Sequence, residues 1–226
     1  MRKIFNTFWV FFFACFLILC GTGCGAKEIS GNLESDKLKV IATIFPQYDF
    51  VRAVAGDKVD LKMLLSPGVE SHGFEPTLQD ISDIEKSDLF IYVGGESDAW
   101  VNNVLSTVNS SSLKTISLVD TVNTLKEEEV EGMEEDENGH EEDEHEVDEH
   151  VWTSPANAIK IVNKICDTLC ELDAENSEYY RSNASEYVKN LEKIDDDFLE
   201  VVKNARVKTL VFAERFPFRY LTEQYG

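Results

Sequence analysis

The amino-acid sequence predicts an α/β fold: a three-layer lobe around a mainly parallel sheet, a long backbone helix, and the start of a second α/β lobe. Short β-branched apolar runs alternate with segments of helical periodicity over residues 37–122, which is the pattern of βαβ units. Residues 177–206 then keep one apolar stripe that no Pro or Gly interrupts. With 226 residues, 43% of them hydrophobic, the chain is large enough to bury such a core.

Residues 1–24 have the layout of an export signal, with a basic start and an apolar run too short for a confident transmembrane helix. The stretch LCGTGC resembles a bacterial lipobox and predicts lipidation at Cys24, with Gly21 at the position that usually holds Leu. An uncleaved anchor and plain secretion are the alternatives. Residues 25–36 are polar and predict a tether between the membrane and the folded domain.

The first lobe is predicted to contain four strands with helices between them. The strands are the apolar runs LKVIATI (38–44), VDLKMLL (59–65), DLFIYVGG (88–95) and LKTISLVD (113–120). The helices are FPQYDFVRAVAG (45–56), which stops at a glycine, LQDISDIEKS (78–87), which Pro76 and Thr77 open, and DAWVNNVLSTV (98–108). In such sheets, ligands bind beyond the carboxyl ends of the strands.

An acidic segment interrupts this alternation after the fourth strand. Fifteen of the chain's 43 acidic residues lie between residues 127 and 149, with no Lys or Arg, so the rest of the chain carries only −7 of the net charge of −22. Residues 123–149 have almost no apolar side chains, and we predict a disordered, His-rich acidic loop there. The negative charge disfavours nucleic acid as a partner.

Two helices are predicted beyond the acidic segment. The first, capped by Ser154, completes the first lobe within residues 150–176, and the second is the backbone helix at 177–206, ~45 Å long at 1.5 Å per residue. Within 207–226, VKTLVFAE predicts a strand and PFRYLTEQYG the start of a helix. One strand and a partial helix cannot bury their own faces, so we expect the start of a second lobe that is truncated.

Cys166 and Cys170 are the only cysteines outside the predicted signal, four residues apart on one face of a predicted helix. A structural zinc site would need two more thiols. Buried positions on the helix face are therefore the favoured interpretation, and pairing with a cysteine of another chain is the alternative.

Two histidines are placed where a ligand is expected. His72 lies in the loop after the second strand, and His150 lies at the end of the segment that follows the fourth strand. Neutral imidazole holds Zn²⁺ at about 2.0–2.1 Å, and three or four such ligands make a site that carboxylates can complete. A surface location with no ligand role is the alternative for each histidine.

His140 and His145 lie among the carboxylates of the acidic segment. A flexible chelator of this kind binds cations weakly, because ordering it costs entropy, but it concentrates them near a tighter site. The alternative is a solubilising acidic linker with incidental histidines.

Three motifs together resemble a known family. SPGVESHGFEPTLQDI, DEHVWTSPANA and FAERFPFRYLTEQYG occur in this order around the long helix. They are similar to motifs of the metal-binding lipoproteins that deliver Zn²⁺ or Mn²⁺ to bacterial ABC importers, most closely the ZnuA type. The resemblance spans residues 38–226. It implies two α/β lobes joined by a rigid helix at 177–206, a metal in the cleft between them with His72 and His150 as ligands, and a His-rich insertion matched by 127–149.

The sequence departs from the family's pattern at a third ligand position. Many members carry a further histidine at the start of the second lobe, where this chain has Glu214 and Arg215. Arginine offers no free lone pair, so Glu214 is the predicted substitute. The resemblance places a final carboxylate ligand deep in the second lobe, and this chain is therefore expected to supply about half of a site.

The predicted function is that of a zinc-binding receptor of an ABC importer rather than an enzyme. We expect a monomer, lipid-anchored on the extracytoplasmic face of the cell membrane, that delivers Zn²⁺ to a membrane permease. Mn²⁺ is the alternative ion, although it favours more oxygen donors. One alternative function is a surface adhesin or passive metal buffer. Another is a secreted metal-dependent hydrolase with Glu75, near His72, as its base, although the sequence has no HExxH motif.

Overall fold

A parallel sheet of four strands lies at the centre of the first lobe. The strands are β1 (Leu38–Ala42), β2 (Val59–Met63), β3 (Leu89–Tyr92) and β4 (Lys114–Ser117), in the spatial order β2-β1-β3-β4. All three neighbouring pairs are parallel, which confirms the predicted sheet. Each strand ends two or three residues before its apolar run does, because the chain there bends into the loops at the carboxyl edge.

The computed structural model describes residues 37–69, 71, 73–108, 110–126, 147–212 and 216–226. The stretch from Lys37 to Gly226 forms one compact unit. Several sequence predictions fall outside the described residues and remain predictions: the export signal, the tether, Cys24, His72, His140, His145 and Glu214.

Within these described ranges, six α-helices lie close to their predicted positions. They are α1 (Phe45–Ala55), α2 (Leu78–Glu85), α3 (Ala99–Thr107), α4 (Pro155–Leu172), α5 (Ser177–Asn204) and α6 (Arg219–Tyr225). Short 3-10 turns occupy Val119–Thr121, Val151–Thr153 and Ala174–Asn176. Among the described residues, no helix is both long and apolar enough to cross a bilayer.

The sheet is covered by helices on both faces, as the predicted three-layer arrangement requires. Side chains alternate along β3: Leu89 and Ile91 join the core shared with α1, α4 and α5, whereas Phe90 joins the core shared with α2 and α3. Because both faces are covered, these central positions are fully buried.

Helix α4 begins and packs as its sequence indicates. The Ser154 hydroxyl accepts a hydrogen bond from the Asn157 amide at 3.2 Å, and Pro155 follows at the first helical position. Cys166 and Cys170 are free thiols buried on the core side of this helix. The interpretation of both as buried helix-face residues is confirmed, and burial raises the pKa of the Cys166 thiol to about 12.

The predicted backbone helix is confirmed as α5, an unbroken run of 28 residues. Its amino-terminal half packs into the main core through Tyr180 and Ala184. Its carboxyl-terminal half keeps the same periodicity but leaves its apolar side chains largely exposed, as at Leu199 and Val201. The apolar stripe therefore predicts the helix correctly and does not by itself predict which part is covered.

Two boundary expectations are corrected by the structure. The strand predicted in VKTLVFAE does not form over 207–212, the described part of that run, and no strand of the described residues pairs with it. The acidic segment, assigned to 123–149, overlaps the ordered fold at both ends: Lys126 and Val147 form an antiparallel bridge, and Asp148 and Glu149 are buried. The prediction of disorder at these residues rested on charge composition alone.

Candidate metal centre

The loop after β2 is anchored at both ends. At its start, the amides of Leu64 and Leu65 donate to backbone carbonyls at the end of β1, those of Ala42 and Thr43. At its end, Thr77 and Asp80 form a capping box that begins α2. Lys62 in β2 reaches across to Asp80 at 3.3 Å and thereby ties the two ends together. This loop carries position 72.

The described part of this loop lies against the start of α3. A turn closes where the Phe74 amide donates to the Ser71 carbonyl at 3.1 Å, with Gly73 at a φ of 80°. The Phe74 ring then packs edge-on against the Trp100 ring, with 5.4 Å between their centroids. Residues on both sides of position 72 are thus held at the carboxyl edge of the sheet, next to the first turn of α3.

His150 is held by the carboxylate two residues before it. The Asp148 side chain accepts from the His150 backbone amide at 2.8 Å and lies 3.1 Å from the ring Nδ1. Because an ionised carboxylate only accepts, this contact favours a proton on Nδ1, and in the neutral ring of this tautomer the lone pair is on Nε2. The His150 side chain is 36% exposed, whereas that of Asp148 is 7% exposed. This arrangement orients an imidazole towards solvent from a buried anchor.

Glu149 fixes the same segment to the loop after β3. Its carboxylate accepts from the Ser97 amide at 2.7 Å, and Glu149 is only 8% exposed. It lies so close to Gly95, whose φ is 83°, that a Cβ at that position would overlap the carboxylate. A glycine is therefore required there for two reasons, the backbone conformation and the close approach.

The loop after β2 and the segment that carries His150 thus meet the same stretch of chain. Phe74 contacts Trp100 in the first turn of α3, and Glu149 bonds to Ser97 in the loop just before that helix. The described neighbours of positions 72 and 150 therefore lie at one edge of the sheet. This edge is the place where the topology of a parallel α/β sheet leaves room for a ligand.

A third buried carboxyl group in this region belongs to Asp98, just before α3. The Asp98 side chain accepts from the amides of Val93 at 2.7 Å and Gly94 at 3.1 Å. The pKa of Asp98 is raised to about 6. Burial is the main cause of this rise and the charge of Glu149 adds to it, whereas the two hydrogen bonds from backbone amides lower the pKa. Sequence analysis did not identify this residue as part of the site, since an aspartate at the start of a helix is usually an ordinary cap.

The described residues supply one imidazole to this edge. Among them, no group of three or more His, Cys, Asp and Glu side chains is arranged to hold a metal ion. His150 is the one histidine that the structure describes, since positions 72, 140 and 145 lie outside those ranges. Glu75, the candidate base of the alternative hydrolase, is exposed in the loop after β2.

The described lobe has a parallel sheet, a helix that leads out of it and an oriented histidine at the carboxyl edge of the sheet. These features are typical of the class of α/β lobes that bind a ligand. The sequence profile of the family described as "Zinc-uptake complex component A periplasmic", ZnuA, matches residues 40–226. The chain belongs to this family, as its motifs predicted.

Named relatives and solved structures agree with this assignment. The chain is 33% identical over 220 residues to the high-affinity zinc uptake system protein ZnuA of Bacillus subtilis, and the matched region covers 94% of this chain and 66% of that protein. It is 32% identical over 213 residues to the zinc-binding lipoprotein AdcA of Streptococcus pneumoniae, and the matched region covers 94% of this chain and 40% of that protein. The chain thus spans between about two fifths and two thirds of the length of these curated relatives.

Two crystal structures share the fold. The metal-dependent lipoprotein YcdH of Bacillus subtilis matches with a TM-score of 0.72 and 30% identity, over 84% of this chain and 64% of that chain. Zn(II)-bound AdcA of Streptococcus pneumoniae matches with a TM-score of 0.70 and 32% identity, over 84% of this chain and 38% of that chain. The predicted fold class is therefore confirmed. The family description and the names of its members are those of zinc-uptake and zinc-binding proteins.

Proposed function

We propose that this chain is an extracytoplasmic zinc-binding receptor of an ABC importer and that it delivers Zn²⁺ to a membrane permease. Membership of the ZnuA family and similarity to proteins named for zinc uptake and zinc binding support this proposal. The observation that carries it is the geometry at His150: a buried carboxylate holds Nδ1 of a partly exposed imidazole at the carboxyl edge of the sheet.

The proposed first ligands are His72 and His150. Phe74, near position 72, contacts the first turn of α3, and Glu149, next to His150, bonds to Ser97 just before that helix. This supports a shared ion. Glu214 is the proposed further ligand from the segment after α5. Four or fewer N and O donors at about 2.0–2.2 Å suit Zn²⁺, whereas Mn²⁺ prefers more oxygens, so Mn²⁺ is the weaker of the two candidate ions.

The acidic segment has a separate proposed role. His140 and His145 lie among carboxylates close in sequence to His150. We expect them to bind Zn²⁺ weakly and to raise its local concentration. The bridge between Lys126 and Val147 supports this role, because it lies at the base of the segment and Val147 is three residues before His150.

The proposed location is the outer face of the cell membrane. The lipobox-like stretch before Cys24, the polar residues 25–36 and the lipoprotein names of relatives support a lipid anchor. A receptor of this kind acts as a monomer that captures an ion and passes it to the permease. No residue of the site needs to act as an acid, a base or a nucleophile.

The proposal is tested by calorimetric titration of residues 25–226 with Zn²⁺. His72→Ala and His150→Ala are each expected to raise the Kd more than about a hundredfold, beyond the 10–100-fold that outer residues typically cost. The double variant His140→Ala/His145→Ala is the matched control, because it removes two imidazoles without touching the tight site. It is expected to lose only weak binding. Equal affinities in wild type and both single variants would overturn the assignment of the ligands.

Growth distinguishes the receptor from its alternatives. A cell that depends on this receptor is expected to grow poorly in zinc-poor medium when the gene is deleted and to recover when Zn²⁺ is added. An adhesin would not change growth in this way. Hydrolysis of an ester or peptide that disappears in His72→Ala would instead support the alternative of a metal-dependent hydrolase with Glu75 as its base.

A further inference from the structure

The two ends of the acidic segment are joined at its base by a side chain from the far end of the chain. Leu125 and Asp148 lie opposite each other, next to the bridge between Lys126 and Val147. The Asp148 amide donates to the Leu125 carbonyl at 3.0 Å. In an antiparallel pair of this type, the second bond would run from the Leu125 amide to the Asp148 carbonyl.

The hydroxyl of Tyr220 takes the place of that second bond. It accepts from the Leu125 amide at 3.0 Å and donates to the Asp148 carbonyl at 2.7 Å. Tyr220 is 4% exposed, and its ring packs in the main core with Val151. Burial raises the pKa of Tyr220, so the hydroxyl remains a neutral donor at neutral pH. The side chain is therefore a fixed link between the two strands.

The residue that Tyr220 holds is the one that orients His150. Asp148 is fixed at its backbone amide by Leu125 and at its carbonyl by Tyr220. Its carboxylate then meets both the amide and the ring of His150. Each link in this chain of contacts is a direct hydrogen bond between buried or half-buried groups.

We propose that Tyr220 is a positioning residue for the zinc site: its hydroxyl closes the base of the acidic segment and so holds Asp148 where it orients His150. This inference rests on the proposed function, because it assumes that His150 binds the ion. Partners that orient a ligand histidine typically change metal affinity 10–100-fold when they are lost, and Tyr220 acts one contact further out.

The same helix offers a matched control. Tyr225 lies on α6 and donates through its hydroxyl to Asp195 at 2.6 Å, which docks α6 on α5. Its bond leads to neither Leu125 nor Asp148. Tyr220→Phe and Tyr225→Phe each remove one hydroxyl from this helix and keep the ring, so they separate an effect on the site from an effect on docking of the helix.

The test is Zn²⁺ affinity measured by chelator competition on the full chain in mild detergent. Tyr220→Phe is expected to raise the Kd about 3- to 10-fold, below the usual range for a direct partner of a ligand. Tyr225→Phe is expected to leave the Kd within about twofold of wild type, because the hydrogen bond that it removes does not reach the site. An unchanged Kd in Tyr220→Phe, or an equal loss in both variants, would overturn the proposal.

A readout without metal separates this inference from the proposed function. Long-range ¹H–¹⁵N NMR of the metal-free chain reports the tautomer of His150. Wild type and Tyr225→Phe are expected to carry the proton on Nδ1, and Tyr220→Phe is expected to show a mixture of tautomers. If wild type binds no Zn²⁺, the proposed function fails, and the tautomer still decides whether Tyr220 positions His150. An unchanged tautomer in Tyr220→Phe would overturn the inference.

If Tyr220→Phe does not fold, hydrogen exchange in wild type gives the answer. The Leu125 amide is expected to exchange as slowly as amides of the central strands, since it is bonded to a buried hydroxyl. Exchange at the rate of an exposed amide would show that the link between Leu125 and Tyr220 does not persist in solution, and the proposal would be wrong.

Discussion

Two regions of this molecule depart from the usual distribution of polar and apolar groups, in opposite directions. At the carboxyl edge of the sheet, the carboxyl groups of Asp98, Asp148 and Glu149 are buried, at 7%, 5% and 8% exposure. In the run that follows α5, Leu210 and Val211 are 62% and 91% exposed. Burial of charge lowers stability, and exposed apolar surface leaves hydrophobic stabilisation unused. Neither region is therefore explained by the stability of the described fold.

The contrast separates two kinds of functional surface. The buried carboxylates each accept hydrogen bonds from backbone amides, so the first region is a rigid, satisfied framework around one half-exposed imidazole. The exposed apolar run lacks such a framework and has the character of a contact surface. Rigid polar groups suit an ion, which requires fixed donor positions, whereas an apolar surface suits another protein surface.

The largest effect that sharpens this comparison is expected from Asp98→Asn. Asparagine keeps an oxygen for the two amides and removes the charge. In wild type the pKa of Asp98 is raised to about 6, so the fold holds the proton more tightly than the unfolded chain does. Wild-type stability is thus lost as the pH rises from about 4 through about 6, by up to about 3 kcal/mol.

Urea unfolding of the metal-free chain at pH 4.5 and pH 7.5 measures this effect. Relative to wild type, Asp98→Asn is expected to gain stability on going from the lower to the higher pH, by about 2 kcal/mol. Other carboxyl groups titrate in both proteins and largely cancel in the difference. If the difference in unfolding free energy between wild type and Asp98→Asn does not change with pH, burial does not disfavour the charged form of Asp98. The contrast between the two regions would then fail.

A smaller effect is expected in the second region. Val211→Ala removes methyl groups from a side chain that is 91% exposed, whereas the same change at Val162 in α4 acts on a side chain that is fully buried. The free energy of unfolding is expected to fall by less than about 0.5 kcal/mol for Val211→Ala and by about 2 kcal/mol for Val162→Ala. Equal losses would show that residue 211 is packed, and the comparison between the two regions would fail.

Most of the fold follows from local sequence patterns. Strand and helix periodicity predicted the four strands, the six helices and the parallel sheet that the described residues form, because each element carries its own alternation or stripe. The one strand that failed, at 207–212, failed because a strand needs a neighbour that no local pattern reveals. The same limit applies to α5, where the stripe continues from buried Tyr180 to exposed Val201 without a change in character.

The candidate site was predicted only in part. The rule that ligands bind at the carboxyl edge placed His150 near that edge, and the structure agrees. Its partner Asp148 lies only two residues before it, so the signal was present as Asp-x-His. The role of Glu149 was not predicted, because its burial depends on the space beside Gly95, a residue with no side chain. Tyr220 was beyond reach, since its partners lie 72 and 95 residues away in sequence.

The central claim is that His72 and His150 meet on one ion. The most direct measurement is ¹¹³Cd NMR of the chain with ¹⁵N-labelled histidine, because cadmium replaces zinc at N and O ligands and couples to each nitrogen that it binds. The account predicts one tight cadmium signal with couplings to two ring nitrogens, one lost in His72→Ala and the other in His150→Ala. A signal coupled to His140 and His145 instead, or to only one of the two proposed ligands, would contradict it.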